Sequence, residues 1–325
     1  MDFADFPVSQ NDLDRRIDKI IRIFIPSISL SLIYKDLRKG LIKVNGKKVR
    51  EDYRVQNGDI VNIASFLLND DDDDGKAAKQ EADCTVPLPP VAFQNQHLLI
   101  LNKPYDVLVH GSSDSLDKAV LNYYKSNIKD ASLSFTPGPL HRLDRKTTGL
   151  LAFSLSLQGA HWFSEHIKDH SIQKYYAALV EGNVKQPEHW EDYIQKEENQ
   201  KTAFKTVKAS ESISDEKEDK LATTDIIPLA HGTFNGKPVT LIKLNIHTGR
   251  THQIRAQSSL HNHPLLGDTA YGGTKLLNQK QDFFLQAFCL QIPENPVELP
   301  PEIKIPLNHS FLNILNVCGI KEFVL

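Results

Sequence analysis

Apolar positions along the chain fall into segments of two periods. Leu13, Ile17, Ile20, Ile21 and Phe24 recur three and four residues apart, which predicts a helix that Pro26 ends. Ser29 stands at an N-cap, Leu32, Ile33 and Leu37 continue a helical face, and Gly40 falls where a C′ glycine belongs. Leu41 to Val44 and Lys48-Val49 flank Asn45-Gly46, so a hairpin is predicted there. Asn57-Gly58-Asp59 reads as a turn into a strand from Ile60 to Ile63. Farther on, residues 97–102 and 150–153 read as buried strands, 158–169 as a helix, and 175–180 as a strand ended by Gly182. Residues 239–246 alternate strongly and stop at Thr248-Gly249. The stretch from Lys185 to Lys220 is charged and poor in large apolar groups, which predicts a peripheral excursion. No internal repeat is visible, and irregular spans separate the strands. The expected fold class is therefore α+β with a mixed or antiparallel sheet, not a regular βαβ series.

Composition divides this pattern into parts. Residues 11–66 form a small α/β module, 67–90 an acidic, proline-containing linker, and 91–325 the larger domain. The linker holds Asp70 to Asp74 and the run Val86-Pro87-Leu88-Pro89-Pro90, too polar and stiff to bury a core. The net charge of −3 over 325 residues does not suggest a nucleic-acid binder. Its distribution does: between Asn11 and Ser65 twelve basic side chains face seven acidic ones, a local excess of five. Cys84, Cys289 and Cys318 lie far apart without a CxxC pair, so neither a disulfide framework nor a zinc ribbon is indicated. No apolar run has membrane-spanning length, and the first residues lack a signal-peptide pattern. The expectation is a cytoplasmic protein with no membrane partner, acting as a monomer.

The stretch from Gly138 to Leu151 carries the densest chemistry. Asp144 lies in sequence beside His141, Arg142 and Arg145, just before an apolar strand. Cations held close would keep a carboxylate charged in a dry site, and such a group can serve as a nucleophile. The same residues could equally form a surface ion-pair cluster. His161, His166 and His170 cluster on a predicted helix, and the last two have metal-pair spacing. No Glu follows His166 as an HExxH motif requires, so a solvent-facing helix and no metal are expected.

His141-Arg142-Leu143-Asp144 followed by Arg145-Lys146-Thr147-Thr148-Gly149-Leu150-Leu151 closely resembles the signature of the RluA-type pseudouridine synthases. Asn102-Lys103-Pro104 with Val109-His110, the run Lys174 to Gly182, Thr248 to Arg255, and His263 to Asp268 match further motifs in the family's order. The N-terminal module resembles an S4 RNA-binding domain, notably from Leu37 to Gly46, and this architecture is most similar to the RluC/RluD-like branch. The resemblance implies a pseudouridine synthase catalytic domain that isomerises uridines in RNA, with large-subunit ribosomal RNA as partner and no cofactor. It makes Asp144 the nucleophile, attacking the ribose or the base. Tyr176 would stack on the flipped uracil, although its place on an alternating strand also suits a core aromatic. Arg255 would pair with Asp144; by itself it reads as a solvated helix residue. Arg142 would enter the helix stack or pair with Asp144, and His141 would contact substrate beside it. In the module, Arg16, Arg38, Lys39, Lys43 and Lys47 would grip RNA phosphates. Thr148 stands where the family more often has Ser, and Gln286 where it usually has His. Two alternatives remain at this point: a transfer-RNA synthase of the same family, and a noncatalytic RNA-binding assembly factor.

Overall fold

Residues 1–68, 86–127, 132–196, 207–210, 220–277 and 279–325 are described by a computed structural model. The Asp70–Asp74 run, Cys84 and most of the expected linker lie outside them, as does much of the charged stretch after Lys196. The chain divides into two units. One comprises Met1–Leu88, Ser112–Gly138 and Ser154–Leu157, and the other Pro89–Gly111, Pro139–Phe153 and Gln158–Leu325.

The first unit begins with strand β1 (Phe3–Pro7), then helices α1 (Ile17–Phe24) and α2 (Leu30–Lys39). The Ser29 hydroxyl accepts the Leu32 N–H at 3.3 Å, and Gly40 ends α2 at φ +77°, a left-handed position that favours glycine. Strands β2 (Ile42–Val44) and β3 (Ile60–Ala64) follow, and the sheet order is β1-β3-β2. The Asn45-Gly46 turn forms, with both residues at positive φ, but the predicted hairpin does not. Past the single Val44–Lys47 bridge, residues 48–49 leave the sheet, and β2 pairs with β3. Asn45 explains this choice. Its backbone N–H donates to the Ile60 carbonyl, its side-chain oxygen accepts from the Ile60 N–H, and its amide donates to Asp59 at 2.7 Å.

Helix α3 (Leu116–Asn127) and the segment after it also belong to this unit. Their anchor is Asp12, which is fully buried. Its carboxylate accepts hydrogen bonds from the Ser132 and Ser134 hydroxyls, from the N–H groups of Leu133 and Ser134, and from Ser9. Burial opposes the charge, but these donors outweigh it and hold the carboxyl below its ordinary range. Leu133 accordingly joins the core built by Ile17, Ile20, Ile33 and Val61.

The second unit is built on one large sheet. Its elements are β4 (Val91–Gln94), β5 (Leu98–Lys103), β6 (Thr148–Ser154), α4 (Leu157–Lys168), β7 (Gln173–Glu181), β8 (Glu188–Lys196), β9 (Val207–Ser210), β10 (Lys220–Phe234), β11 (Lys237–Ile246), α5 (Gln253–Leu260), β12 (Leu285–Gln291), β13 (Glu302–Lys304) and α6 (His309–Val317). The order is β4-β5-β6-β12-β7-β11-β10-β8-β9, with β13 on β12. Because β12 runs parallel to β6 and antiparallel to β7, the sheet is mixed, in the expected α+β class. The expected peripheral excursion is corrected in its first part. Residues 188–196 form a full strand against β10, with Trp190 and Asp192 buried. Alternation is hidden there because an acid occupies one of the inward positions.

Period-two alternation on β7 separates a core from a cleft. Ala177 and Leu179 enter the main apolar cluster with Phe163 of α4 and Phe311 of α6. Lys174 and Tyr176 point to the opposite face. Gln286, buried in β12, donates to the Pro306 carbonyl and accepts from the Asn308 N–H, which fastens the start of α6 to the sheet. Gly149 is required where β6 meets β12. Its φ is +111°, and an added Cβ would lie 2.0 Å from the Ala287 carbonyl oxygen. Gly149→Ala should therefore cost roughly 3 kcal/mol or more, read as a lower denaturant midpoint with an unchanged slope.

Candidate active site

A cleft of about 330 Å³ opens on the β7 face of the second unit, lined among others by Arg142, Asp144, Tyr176, His252 and Arg255. Residues far apart in sequence therefore meet in one cavity. Three segments supply most of its lining: the loop 139–147, the strand β7, and the loop 247–252 with the first turn of α5; Ile167, His170, Ile246 and Leu285 complete it.

The 139–147 loop is pinned from below by Lys103, at the end of β5. This lysine is fully buried, and its ammonium donates to the carbonyls of Arg145 at 2.7 Å, Thr147 at 2.8 Å and Pro104 at 3.0 Å. Two of those carbonyls belong to the three residues that directly follow Asp144. Burial pushes the ammonium from 10.5 down to about 7, against the opposing pull of the Asp144 and Asp106 charges. At the other end of the loop the Ala152 N–H donates to His141 Nε2 at 3.1 Å. Burial, helped by the nearby Lys174 charge, pushes this imidazole from 6.5 down to about 3. His141 thus borders the cleft as a neutral hydrogen-bond acceptor, already engaged by the backbone. Arg142 is exposed at the cleft.

Two of the three potential cations beside Asp144 in sequence do not serve it in space. Arg145 turns away to Asp106 at 2.9 Å, and His141 carries no charge near neutrality. The charge of Asp144 instead reaches Lys103, Tyr176, His252 and Arg255. The nearest of these is His252, whose Nε2 lies 3.8 Å from the carboxylate. No side-chain hydrogen bond to that carboxylate exists among the described residues.

The expected Asp144–Arg255 pair is corrected as well. Arg255 is bound bidentately to Asp268, at 2.6 and 2.8 Å, and both partners are buried. Its guanidinium lies 4.6 Å from the ring centres of both Tyr271 and Phe283. Burial works against its charge, but the Asp268 contact holds the group above its ordinary value. A fork already filled by one carboxylate acts on Asp144 through its field, not through contact.

His252 and Lys103 carry no expected role from the sequence, although both lie inside the motifs that make up the resemblance. His252 caps α5 in a left-handed conformation, φ +53°, a strained state for a non-glycine residue. Its Nδ1 is hydrogen-bonded to the Tyr271 hydroxyl at 2.8 Å. Burial pushes the imidazole below its ordinary value, with the Asp144 charge pulling the other way. Gln253 sets the approach to this turn. Its carbonyl oxygen accepts from Thr248 Oγ1 and the Arg250 N–H, and its amide donates to Thr224 at 2.9 Å.

Tyr176 is buried on the cleft wall with no hydrogen bond to its hydroxyl among the described residues. Burial and then the Asp144 charge push the phenol above its ordinary value, so it is neutral across the physiological range. The module's basic residues are distributed over the first unit. Arg38, Lys39 and Lys47 are exposed, Arg16 pairs with Asp18 at 2.6 Å, and Lys43 lies over the Phe3 ring. His170 ends the run after α4 at positive φ and borders the cleft, while His166 stacks on Trp162. No group of three metal-ligating side chains occurs among the described residues, and no described helix is long and apolar enough to cross a membrane.

Comparison with known proteins matches residues 97–260 to the family described as RNA pseudouridylate synthase and residues 15–61 to the S4 domain. The ribosomal large subunit pseudouridine synthase C of Buchnera aphidicola subsp. Acyrthosiphon pisum (strain APS) is 30% identical over 319 residues, covering 95% of each chain. Its namesake from Vibrio vulnificus (strain CMCP6) is 26% identical over 331 residues, covering 95% of this chain and 94% of that one. Ribosomal large subunit pseudouridine synthase D of Yersinia pestis is 29% identical over 270 residues, covering 82% of this chain and 75% of its own. Among solved structures, Human RNA Pseudouridylate Synthase Domain Containing 4 superposes with a TM-score of 0.57 at 20% identity, covering 72% of this chain and 94% of that one. At that identity it shows the shared fold.

Lys103 generates a prediction whose sign follows from its shift. With a folded value of about 7 against 10.5 for the free side chain, the unfolded chain binds the extra proton between those limits. Wild-type stability relative to Lys103→Met should therefore rise as pH increases from about 7 towards 10. Matched chemical denaturations across that range measure it, and a flat difference would refute the assignment.

Proposed function

We propose that this chain, which belongs to the RNA pseudouridylate synthase family, isomerises uridine to pseudouridine in large-subunit ribosomal RNA with Asp144 as nucleophile. The observation that carries this reading is the shared cleft in which Asp144, Tyr176 and Arg255 meet. The ribosomal assignment is supported by relatives of that description that align along nearly the whole chain.

The chemistry follows from what the cleft offers. A target uridine must first leave its stack, at a cost of a few kcal/mol. The Tyr176 ring then gives the extruded uracil an aromatic face, worth about 1–3 kcal/mol. Asp144 adds to the ribose or to the base, and the C1′–N1 bond breaks. The uracil turns, C5 bonds to C1′, and Asp144 is released. The hydrogen lost from C5 is balanced by one gained at N1, so nothing is oxidised or reduced and no other reactant is consumed. Lys103 fixes the loop that presents the carboxylate, while Arg255, held by Asp268, supplies positive potential without occupying the nucleophile. Tyr176, kept as a phenol, acts as a platform and proton donor and not as a standing phenolate base. Arg142, exposed at the cleft, fills the space that the extruded base leaves, a role its exposure supports. His141 serves by bracing the loop.

The N-terminal module, residues 11–66 of the sequence, supplies phosphate contacts through Arg38, Lys39 and Lys47 on its exposed surface, with Arg16 and Lys43 partly committed to protein partners. Mapping pseudouridines in total RNA with and without the gene tests the substrate. A loss confined to transfer RNA would redirect the reading within the family.

Asp144→Asn should lower single-turnover pseudouridine formation by roughly 10³-fold or more while leaving RNA affinity about unchanged. Normal turnover by that variant would remove Asp144 from its role. Replacing Lys39 and Lys47 together by Ala should weaken RNA binding and flatten the dependence of log affinity on log salt by about 0.7–0.9 for each phosphate no longer neutralised. An unchanged affinity at moderate salt would mean that this surface does not face RNA.

A further inference from the structure

The second unit buries two lysines, one beneath the 139–147 loop and one on the cleft wall, and treats them in opposite ways. Lys103 uses its ammonium on three carbonyls. Lys174, on the cleft wall, is only 7% exposed, yet its ammonium has no hydrogen bond or ion pair among the described residues. Side-chain polar atoms that are both sealed from solvent and unpaired belong to Asp36, Thr147, Asn245 and Ser258. The Lys174 ammonium is not one of them, so its tip keeps some exposure, and the residue lines the cleft. Burial alone pushes this ammonium below its ordinary value. A desolvated cation without a partner is a standing cost. Among the described residues no anion relieves it: His141 beside it is neutral and Ile167 is apolar.

We propose that Lys174 is a substrate-positioning residue that binds a backbone phosphate in or next to the target nucleotide. The inference rests on the reading of the cleft as a uridine site and adds a second anchor to it. Geometry favours phosphate. Lys174 and Tyr176 sit two residues apart on one face of β7, roughly 6.8 Å along the strand. A nucleotide whose base stacks on Tyr176 has its sugar toward Asp144 and its backbone within reach of a neighbouring cation. The phosphodiester is the only anionic group that RNA provides, and an anion is what a bare ammonium lacks. A neutral uracil carbonyl would compensate it far less.

The test uses the full chain carrying Asp144→Asn, so that binding is read without turnover, with an in-vitro large-subunit rRNA transcript as ligand. Adding Lys174→Met should weaken binding about ten-fold at low salt. It should also flatten the salt dependence by about 0.7–0.9, the effect of one phosphate. The free protein should melt at the same or a higher temperature, because the change removes a buried charge and no bond. A lower melting temperature with an unchanged salt slope would assign Lys174 a structural role and overturn the proposal. Weaker binding with an unchanged slope would assign the contact to a neutral group and overturn it too. Lys174→Gln, which keeps a polar tip, provides the same readings should the Met variant fold poorly. Pseudouridine formation by the wild-type chain is measured in parallel. Its absence, alongside a slope that still depends on Lys174, would sink the proposed reaction and leave the phosphate contact standing.

Discussion

Three backbone carbonyls converge on the Lys103 ammonium, and the position of Asp144 depends on that convergence. A loop between two strands has few ways to hold a carboxylate still, because its own peptide groups face outward or lack partners. Here the preceding strand, β5, ends in a side chain long enough to reach beneath the loop and gather its carbonyls. The cost is a cation taken out of water, visible in its depressed titration. The gain is a loop fixed from the core side, leaving the Asp144 carboxylate without side-chain hydrogen bonds among the described residues and available to react. A donor placed on the carboxylate would have held it as firmly and made it a poorer nucleophile.

The same economy governs the positive side of the cleft. Arg255 could neutralise Asp144 outright, but Asp268 occupies its fork, and Tyr271 and Phe283 enclose it. The resulting group is immobile and closely compensated, so its effect on Asp144 is a steady field. His252 stands closest, yet burial lowers its proton affinity, so the nearest potential cation is uncharged unless something in the cleft changes. A nucleophile tied into a tight ion pair would first have to break it. One surrounded at a distance by fixed charges stays unengaged.

What the sequence made legible was mostly local. Ser29 and Gly40 bound α2 because capping is decided within one turn of chain. The alternation of β11 and the continuous apolar run of β6 survive because both elements are central in the sheet. Asn45-Gly46 makes its turn, yet the partner strand comes from fifteen residues downstream, since strand pairing depends on competition between distant segments and turn chemistry does not. β1 leaves no such trace for a related reason: its five residues include Asp5 at the centre and Pro7 at the end, and they gain strand character from β3 alone. In β8, Asp192 sits inward because Gln257 and His261 receive it, which no hydropathy pattern records.

The site follows the same division between identity and partnership. Motif residues could be named from their order, and Asp144, Tyr176 and Arg255 do meet in one cleft. Their pairings could not be named, because side chains choose partners by geometry. Asp144 borders two arginines in sequence, one of which turns to Asp106, while the potential that surrounds it comes from residues forty or more positions away on either side. Lys103 and Lys174 make the point most sharply, being the same residue type with near-complete burial in the same unit. One is satisfied by the fold and the other is not. Local sequence does not distinguish them, and only the acceptors around each ammonium separate a brace for the protein from an anchor for something brought to it.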